Sequence, residues 1–146
     1  MLVEEAGVPL PVPGDFFIAT RSALPETNYF YIVAIVVSAT LIGSTFLFTI
    51  SKNIGNRLLT KYGKYIRVTP EKVKKLEKWF TKYGGTAIVI GRLIPGLRIV
   101  TPIVAGTFNV SYKTFWIYTT IAAFIWANIY YLIGRFANEI ITFVGN

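Results

Sequence analysis

The sequence contains no cysteine and no histidine among its 146 residues. Without cysteine the chain forms no disulfide and has no thiol nucleophile. Without histidine it lacks the imidazole that most often serves as a general base or zinc ligand. An enzyme acting on a phosphate would therefore depend on carboxylates or on a carboxylate-bound metal. Only seven Asp and Glu residues are present, so we expect a protein that is not an enzyme and that uses no metal or cofactor.

Charged residues are also scarce, at 15% of the chain, while hydrophobic residues make up 53%. The mean hydropathy is +0.54. A soluble domain of this length needs more charged residues to cover its surface. The composition therefore predicts a membrane protein of about one domain.

The excess of basic residues is confined to one part of the chain. Residues 51–83 contain ten Lys and Arg residues and two Glu residues, which accounts for the whole net charge of +8. Because this segment lies between two apolar runs, the positive-inside rule predicts a cytoplasmic loop and not a nucleic-acid-binding patch. Such a loop can also contact anionic lipid headgroups.

Two apolar runs without a charged residue, Asn28–Ile50 and Thr114–Gly134, are long enough to cross a bilayer, which takes about 20 residues in a helix. We predict spanning helices over 28–50 and 111–135, with aromatic residues near their ends as interfacial anchors. Asn128, within the second run, is predicted to form a hydrogen bond to a neighbouring helix.

Residues 51–83 also have the pattern of a basic amphipathic segment. Thr69, Pro70 and Glu71 mark a helix start, as a cap, a first-position proline and a first-turn acid. Four apolar residues follow at helical spacing with lysines opposite, namely Val73, Leu76, Trp79 and Phe80. We expect this stripe to lie on the membrane surface or beneath the transmembrane helices.

Two further apolar segments are interrupted near their middle. One, at residues 8–24, is broken by prolines and by Pro13-Gly14, and the other, at residues 86–107, is broken by Pro95-Gly96 and by Pro102. A broken backbone at membrane depth is tolerated only where it is buried in protein or lines a watery cavity. We therefore predict two re-entrant helical hairpins, over residues 1–26 and 85–107.

The two halves of the chain correspond at an offset of 82 residues, which places Pro13-Gly14 onto Pro95-Gly96. Each half is then a hairpin followed by a spanning helix, and the cytoplasmic loop between them makes the halves inverted. The predicted fold is an all-α polytopic membrane protein, a single domain over 1–146, with two re-entrant hairpins and two spanning helices as an inverted repeat. Inverted repeats with interrupted helices are typical of transporters that bind substrate near the midplane.

Charged residues lie close to both predicted turns. Arg92 and Arg98 flank the second turn in the stretch GRLIPGLR, while Asp15 follows the first turn and Glu5 lies ten residues before Asp15. A charge at the bilayer centre costs from about 3 to more than 10 kcal/mol unless it is paired or hydrated. Two interpretations stay open: the acids and arginines neutralise each other, or the arginines bind an anionic headgroup.

In the second interpretation two guanidinium groups hold a phosphate through bidentate hydrogen bonds. Gly14 and Gly96, at the two turns, add free backbone N–H groups. Glu5 and Asp15 can then exchange protons, because burial favours the neutral form of a carboxyl group. Such an exchange would couple transport to a proton gradient.

At these residues the sequence resembles the DedA family of membrane proteins, which is related to the eukaryotic VTT-domain lipid scramblases. The stretches that carry the resemblance are Glu5…Pro13-Gly14-Asp15, Gly91-Arg92-Leu93-Ile94-Pro95-Gly96-Leu97-Arg98, Ala105-Gly106, Phe115, Trp126 and the link from Gly63 to Gly85. Nearly the whole chain is covered, and GRxIPGxR followed by Ala-Gly is fairly specific.

The resemblance implies a multi-pass protein of the cytoplasmic membrane that transports polyprenyl phosphate, such as undecaprenyl phosphate, back across that membrane. It implies that Glu5 and Asp15 are the functional acids, with Glu4 as a substitute for Glu5, and that Arg92 and Arg98 are the functional arginines. Family members usually have another apolar helix before the first hairpin, whereas this chain begins almost at the hairpin. A flank exposed in this way favours a homo-oligomer.

Three other functions are compatible with the same residues. A less selective phospholipid scramblase would move many anionic or neutral phospholipids equally. A small-ion exchanger would carry ions in liposomes made of lipid alone, and it leaves the arginines harder to explain. A structural membrane protein would carry no flux.

Overall fold

The computed structural model describes residues 14–24, 28–54, 69–94 and 96–144, without the side chains of Asp15, Phe17, Ile141 and Val144. Within these ranges the regular structure is entirely α-helical, which confirms the predicted all-α class. The helices are α1 (Gly14–Ser22), α2 (Tyr29–Ile54), α3 (Pro70–Tyr83), α4 (Thr86–Leu93), α5 (Val100–Thr107) and α6 (Tyr112–Val144).

Two of the described helices are long and apolar enough to cross a membrane. They are α2, with 26 residues and a mean hydropathy of 2.2, and the segment Tyr112–Ile140 of α6, with 29 residues and a mean hydropathy of 1.4. Both predicted spanning helices are therefore confirmed as candidate spans. Large apolar side chains on their outer faces are exposed, among them Phe30, Phe46, Phe136 and Phe143, as expected of a surface that contacts lipid.

Both long helices extend beyond the predicted bounds. The first continues from Ile50 to Ile54, and the second continues from residue 135 to Val144. The prediction ended each span where charged residues begin, at Lys52 and Arg135. A helix does not end where its hydrophobicity ends, because its backbone hydrogen bonds continue until a helix-breaking residue or a cap intervenes.

The helices α2 and α6 pack against each other in antiparallel orientation. The ring of Phe48 stacks on that of Phe115 at a centroid distance of 4.2 Å near one end of the contact. Near the other end, the hydroxyl of Tyr29 donates a hydrogen bond of 2.8 Å to Oδ1 of Asn128. The predicted interhelical role of Asn128 is thus confirmed, and the two contacts fix the register of the helix pair.

The short helices pack against the long ones. The helix α5 has its most extensive contact with α2, and α1 has its most extensive contact with α6. At Gly106 of α5, a Cβ atom would lie 2.6 Å from the carbonyl oxygen of Phe48, so only glycine allows this close approach of the two backbones. The helices α1 and α5 therefore each contact the long helix of the other half of the chain, whereas α4 packs chiefly against α6 of its own half.

The helix α3 begins as the sequence predicts. The side-chain oxygen of Thr69 accepts a hydrogen bond of 3.4 Å from the backbone N–H of Lys72, and Pro70 occupies the first turn. The predicted apolar stripe faces inward: Leu76 and Phe80 are buried, and Val73 and Trp79 pack against the same hydrophobic cluster. This stripe holds α3 against α4 and α5, and the placement of α3 on the membrane surface or beneath the transmembrane helices stays a prediction.

The second apolar segment is interrupted beside Pro95-Gly96, as predicted, but the predicted break at Pro102 is wrong. Pro102 lies in the first turn of α5, where a helix tolerates proline because the N–H groups of that turn have no partner within the helix. The chain leaves α4 at Leu93, turns through residues 96–99 and enters α5 at Val100. At the first interruption α1 begins at Gly14, while residues 1–13, with Glu5 and Pro13, lie outside the described ranges. The re-entrant course of the two segments and their relation as an inverted repeat stay predictions.

Candidate functional site

Arg92 is placed in the interior of the helix bundle. It lies in the last turn of α4, and only 3% of its surface is exposed. A cation is favoured at the C-terminal end of a helix by the helix dipole, but burial of a guanidinium group still removes it from water at a large cost. An apolar side chain would pack at this position without that cost, so a buried Arg92 indicates a functional role for its charge.

Arg98 reaches the same region from the turn between α4 and α5. Its side chain is half-buried, and its guanidinium carbon lies 5.1 Å from the centroid of the Trp126 ring on α6. A guanidinium group over an indole face is held by a cation–π interaction of about 0.5–2 kcal/mol.

The two arginines line one pocket, which we call the arginine pocket. The other residues that line it come from the two long helices: Thr40 of α2, and Ala122, Ala123 and Trp126 of α6. The free volume is about 10 Å³, which is room for about one water molecule. Arg92 and Arg98 are six positions apart in the chain, and the turn between α4 and α5 brings both side chains to one pocket between the spanning helices.

The arginine pocket lies near the middle of the spanning helices. Thr40 is the twelfth of the 26 residues of α2, so it lies about 17 Å from one end of that helix and about 21 Å from the other at 1.5 Å per residue. A position this far from both helix ends is far from both aqueous phases when α2 crosses the bilayer. The hydration that stabilises an arginine at a protein surface is therefore scarce at this site.

Thr40 adds a polar group that the sequence analysis missed. It is 2% exposed, and its hydroxyl has no hydrogen-bond partner among the residues that the structure describes. Buried hydroxyls are usually satisfied, so this one is available to a ligand or to a water in the pocket. Nothing in the sequence distinguishes it, since Thr45 and Thr49 occupy the same apolar run.

Close packing immediately before Arg92 positions α4. A Cβ atom on Gly91 would overlap the hydroxyl of Thr101 on α5 and would lie 2.8 Å from Cδ2 of Leu76 on α3. The Thr101 hydroxyl itself donates a hydrogen bond of 2.8 Å to the carbonyl oxygen of Leu97. Three elements thus meet at Gly91, and this contact fixes where the next residue, Arg92, enters the interior.

The predicted turn glycines occupy different environments. Gly96 is exposed and has φ of +83°, a conformation in the left-handed region that favours glycine. Gly14 is buried at the first residue of α1, and the Asp15 backbone lies in the first turn of the same helix. The structure does not place the acids relative to the arginines, because Glu5 and the Asp15 side chain lie outside the described part.

A second cavity differs from the arginine pocket in chemistry. It is a groove of about 700 Å³ between the first third of α2 and residues 120–125 of α6, and no charged residue lines it. The Tyr29 hydroxyl in its lining is already bonded to Asn128. This groove offers contacts for hydrocarbon and no cation for an anionic headgroup.

The fold and the pocket together define a helical membrane protein whose long helices enclose two arginines. The VTT domain matches residues 12–136 of the chain. The chain therefore belongs to the VTT-domain family, and the resemblance to the DedA proteins is confirmed.

Three relatives show the range of names in this family. The uncharacterized membrane protein YbfM of Bacillus subtilis (strain 168) is 30% identical over 131 residues, which cover 88% of this chain and 81% of the relative. Protein DedA of Escherichia coli (strain K12) is 29% identical over 134 residues, which cover 88% of this chain and 61% of the relative. Undecaprenyl phosphate transporter A of Staphylococcus aureus (strain NCTC 8325 / PS 47) is 29% identical over 131 residues, which cover 85% of this chain and 64% of the relative.

The chain thus spans about three fifths of the length of the last two relatives. Protein DedA has the name of the family, and the Staphylococcus aureus relative is named as a transporter of undecaprenyl phosphate. No solved structure matches the chain.

Proposed function

We propose that this protein moves a lipid phosphate across the cytoplasmic membrane, with polyprenyl phosphate as substrate, and that Arg92 and Arg98 bind the phosphate. The observation that carries the proposal is that both arginines line one pocket near mid-length of two candidate spanning helices. A relative named undecaprenyl phosphate transporter A supports this choice of substrate.

The chemistry of the pocket favours a phosphate over other ligands. Two guanidinium groups present parallel pairs of N–H donors that match phosphate oxygens. The hydroxyl of Thr40 supplies a further donor from α2. A small inorganic cation would be repelled by the arginines, which argues against the ion-exchanger alternative.

The pocket must widen to admit its ligand. Its free volume of about 10 Å³ suits one water, and a phosphate group is larger. The α4 helix and the turn after it carry both arginines, so we infer that this unit moves relative to α2 and α6 when phosphate binds. In the closed pocket the Trp126 indole on α6 orients Arg98.

The acids are assigned to proton coupling. We infer that Glu5 and Asp15 approach the arginine pocket from the first hairpin and alternate with substrate as partners of the arginines. The packing of α1 on α6 and of α5 on α2 supports the inverted repeat, because each of these two helices contacts the long helix of the other half. The same proposal places residues 51–83 in the cytoplasm and includes a homo-oligomer.

Transport in proteoliposomes tests the proposal. Vesicles would contain the wild-type protein or the variants Arg92→Gln and Arg98→Gln, with Arg135→Gln as matched control because Arg135 is exposed on α6. The flux of a short-chain polyprenyl phosphate is expected to fall about 10- to 100-fold in the first two variants, since a hydrogen bond to a charged group contributes about 1.5–3 kcal/mol. The control is expected to match wild type.

Two results would contradict the proposal. One is the absence of flux in folded wild-type protein, and the other is normal flux in folded Arg92→Gln and Arg98→Gln. Equal movement of neutral and anionic phospholipids by wild type would identify a less selective scramblase. The same experiment with and without a pH gradient, repeated on Asp15→Asn, tests the proton coupling separately.

A further inference from the structure

The apolar groove and the arginine pocket lie on opposite sides of the contact between α2 and α6. On α2, the groove is lined by the exposed residues Ala34 and Ser38, and the pocket is lined by Thr40, which is buried. On α6, the groove is lined by Ile121, which is exposed, and the pocket is lined by Ala122, which is buried. The two cavities therefore share both long helices, one on the outer face of the pair and one on the inner face.

The two cavities also lie at one level along these helices. Ser38 and Thr40 are two residues apart on α2, and Ile121 and Ala122 are adjacent on α6. At 1.5 Å per residue, the lining of the groove comes within about 3 Å of the level of the pocket. From that level the groove extends along α2 back to Tyr29, a length of about 14 Å at the same rise. A lipid phosphate in the pocket thus has an apolar channel for its chain directly across the α2–α6 contact.

Hydrogen bonds tie α2 to α6 on both sides of this level. At one end, the indole N–H of Trp116 donates a hydrogen bond of 3.1 Å to the hydroxyl oxygen of Thr45. At the other end, the hydroxyl of Tyr29 donates the hydrogen bond of 2.8 Å to Asn128. The stretch between these ties, residues 30–44 of α2 and 117–127 of α6, is called the seam below. The seam has a cavity on each face, so it can open without breaking either tie.

The polar atoms of the two cavities are arranged differently. None of the described residues that line the groove is charged, and two of its hydroxyls already have protein partners. The hydroxyl of Tyr29 is bonded to Asn128, and that of Thr120 donates a hydrogen bond of 2.8 Å to the carbonyl oxygen of Trp116. The hydroxyl of Thr40 in the pocket has no partner among the described residues. The groove therefore suits hydrocarbon, and its volume lies within the range of about 300–1,000 Å³ that is typical of ligand sites.

We propose that the groove binds the hydrocarbon chain of the lipid whose phosphate is held in the arginine pocket, and that this lipid enters through the seam. The inference rests on the proposed function, because it places the chain of the same lipid. The phosphate passes between α2 and α6 while the chain stays on the outer face. Movement of α4 makes room for the phosphate, and the seam determines the side from which the lipid arrives.

The groove fixes the position of the chain and adds little affinity. A chain that leaves the bilayer for the groove exchanges one apolar environment for another, so no hydrophobic driving force favours the transfer. The affinity of the lipid therefore depends on the phosphate and the arginines. It follows that occupancy of the groove by the substrate depends on Arg92, whereas occupancy by membrane lipid in general does not.

A photoreactive lipid tests this dependence. The probe is a polyprenyl phosphate with a diazirine in its chain, and the control probe is the corresponding neutral polyprenol. In proteoliposomes, the phosphate probe is expected to label residues 33–38 and 120–125 in preference to Phe46 and Phe143, which are exposed outside the groove. This preference should fall about 10- to 100-fold in Arg92→Gln, the factor expected on removal of hydrogen bonds to a charged group. The polyprenol should show no preference.

Engineered cysteines test the seam, and the chain has no native cysteine that would interfere. Val37→Cys with Ile125→Cys places one thiol on each helix in the lining of the groove, where a short bifunctional thiol reagent links them. Thr45→Cys with Trp116→Cys is the matched control, because these side chains already tie the helices together. The first link should abolish transport and groove labelling, and the second should leave both unchanged. Each cysteine pair without the reagent serves as its own reference for folding.

The outcomes distinguish the inference from the proposed function. Equal labelling of the groove by phosphate and polyprenol, or normal transport with the first link in place, overturns the inference and leaves the proposed function intact. Ala34→Trp fills the groove from an exposed position. A change of oligomeric state in this variant would identify the groove as an interface between copies of the chain and would also overturn the inference. Absence of both transport and Arg92-dependent labelling in wild type overturns both.

Discussion

The packing at Gly91 leads to a prediction that links stability to the arginine pocket. In Gly91→Ala, the new methyl group would overlap the Thr101 hydroxyl and approach Cδ2 of Leu76 to 2.8 Å. The end of the leucine side chain can rotate away. Thr101 cannot do so easily, because it is fully buried and its hydroxyl is bonded to Leu97.

The expected loss of stability in Gly91→Ala depends on Thr101, which cannot move away from the new methyl group as Leu76 can. Adding a methyl group to a closely packed core costs about 1–3 kcal/mol, and we expect the steric cost of Gly91→Ala to lie in that range. Helix propensity acts in the opposite direction, because alanine is favoured over glycine in a helix by about 1 kcal/mol. A net loss of stability therefore requires the steric term to dominate, as it does when the overlapped atom is held in place.

A double-mutant cycle isolates the steric term. Thr101→Ala removes both side-chain atoms of Thr101 that the new methyl group would contact. The variant Gly91→Ala/Thr101→Ala should therefore be more stable than the sum of the single changes predicts, by about 1–2 kcal/mol. Stability would be measured by equilibrium unfolding of the purified protein in detergent micelles.

The same variants report on function. Displacement of α4 at Gly91 would shift Arg92, the next residue, so transport by Gly91→Ala should decrease and should recover in the double variant. A Gly91→Ala protein as stable as wild type would refute the argument that α3, α4 and α5 meet without free space at this residue. Additive effects in the cycle would refute the assignment of the overlap to Thr101.

Three further predictions concern contacts that the structure shows. Trp126→Leu removes the cation–π contact of Arg98; we expect the lipid concentration for half-maximal transport to rise about 2- to 30-fold, and an unchanged value would contradict the orienting role of the indole. Tyr29→Phe deletes the hydrogen bond to Asn128 and should cost about 0.6 kcal/mol in unfolding experiments, whereas Asn128→Leu should cost at least as much because it leaves the tyrosine hydroxyl without this acceptor. Thr69→Ala removes the cap of α3 and should destabilise the protein by about 0.5–2 kcal/mol, with Thr69→Ser retaining most of the stability.

The sequence alone predicted the features that depend on local chemistry. Two runs of about 20 uncharged residues predict spanning helices because a charge inside a bilayer is costly. Thr69 and Pro70 predict the start of α3, and Pro95-Gly96 predicts a break in the next apolar segment. Each of these signals acts through the backbone or the solvent preference of its own segment, so it can be interpreted without knowledge of the partners.

The helix ends predicted from the sequence were wrong, because both long helices continue beyond their apolar runs. The prediction ended the second span near residue 135, and the helix continues to Val144. Hydrophobicity determines which part of a helix lies in lipid, whereas backbone hydrogen bonding determines where the helix ends. The charged residues after the apolar run therefore extend the same helix beyond its apolar part.

Only the tertiary structure decided what surrounds the arginines. Arg92 and Arg98 share their pocket with Thr40 and with residues 122–126, which lie far from them along the chain. Lys72 meets Gly96 in the same way. These contacts depend on the register of α2 against α6 and on the placement of α3, which are set by the fit of individual side chains such as Phe48 against Phe115. The fit of such side chains gives no periodic pattern and no local motif in the sequence, because complementary shapes arise only when distant segments are packed together.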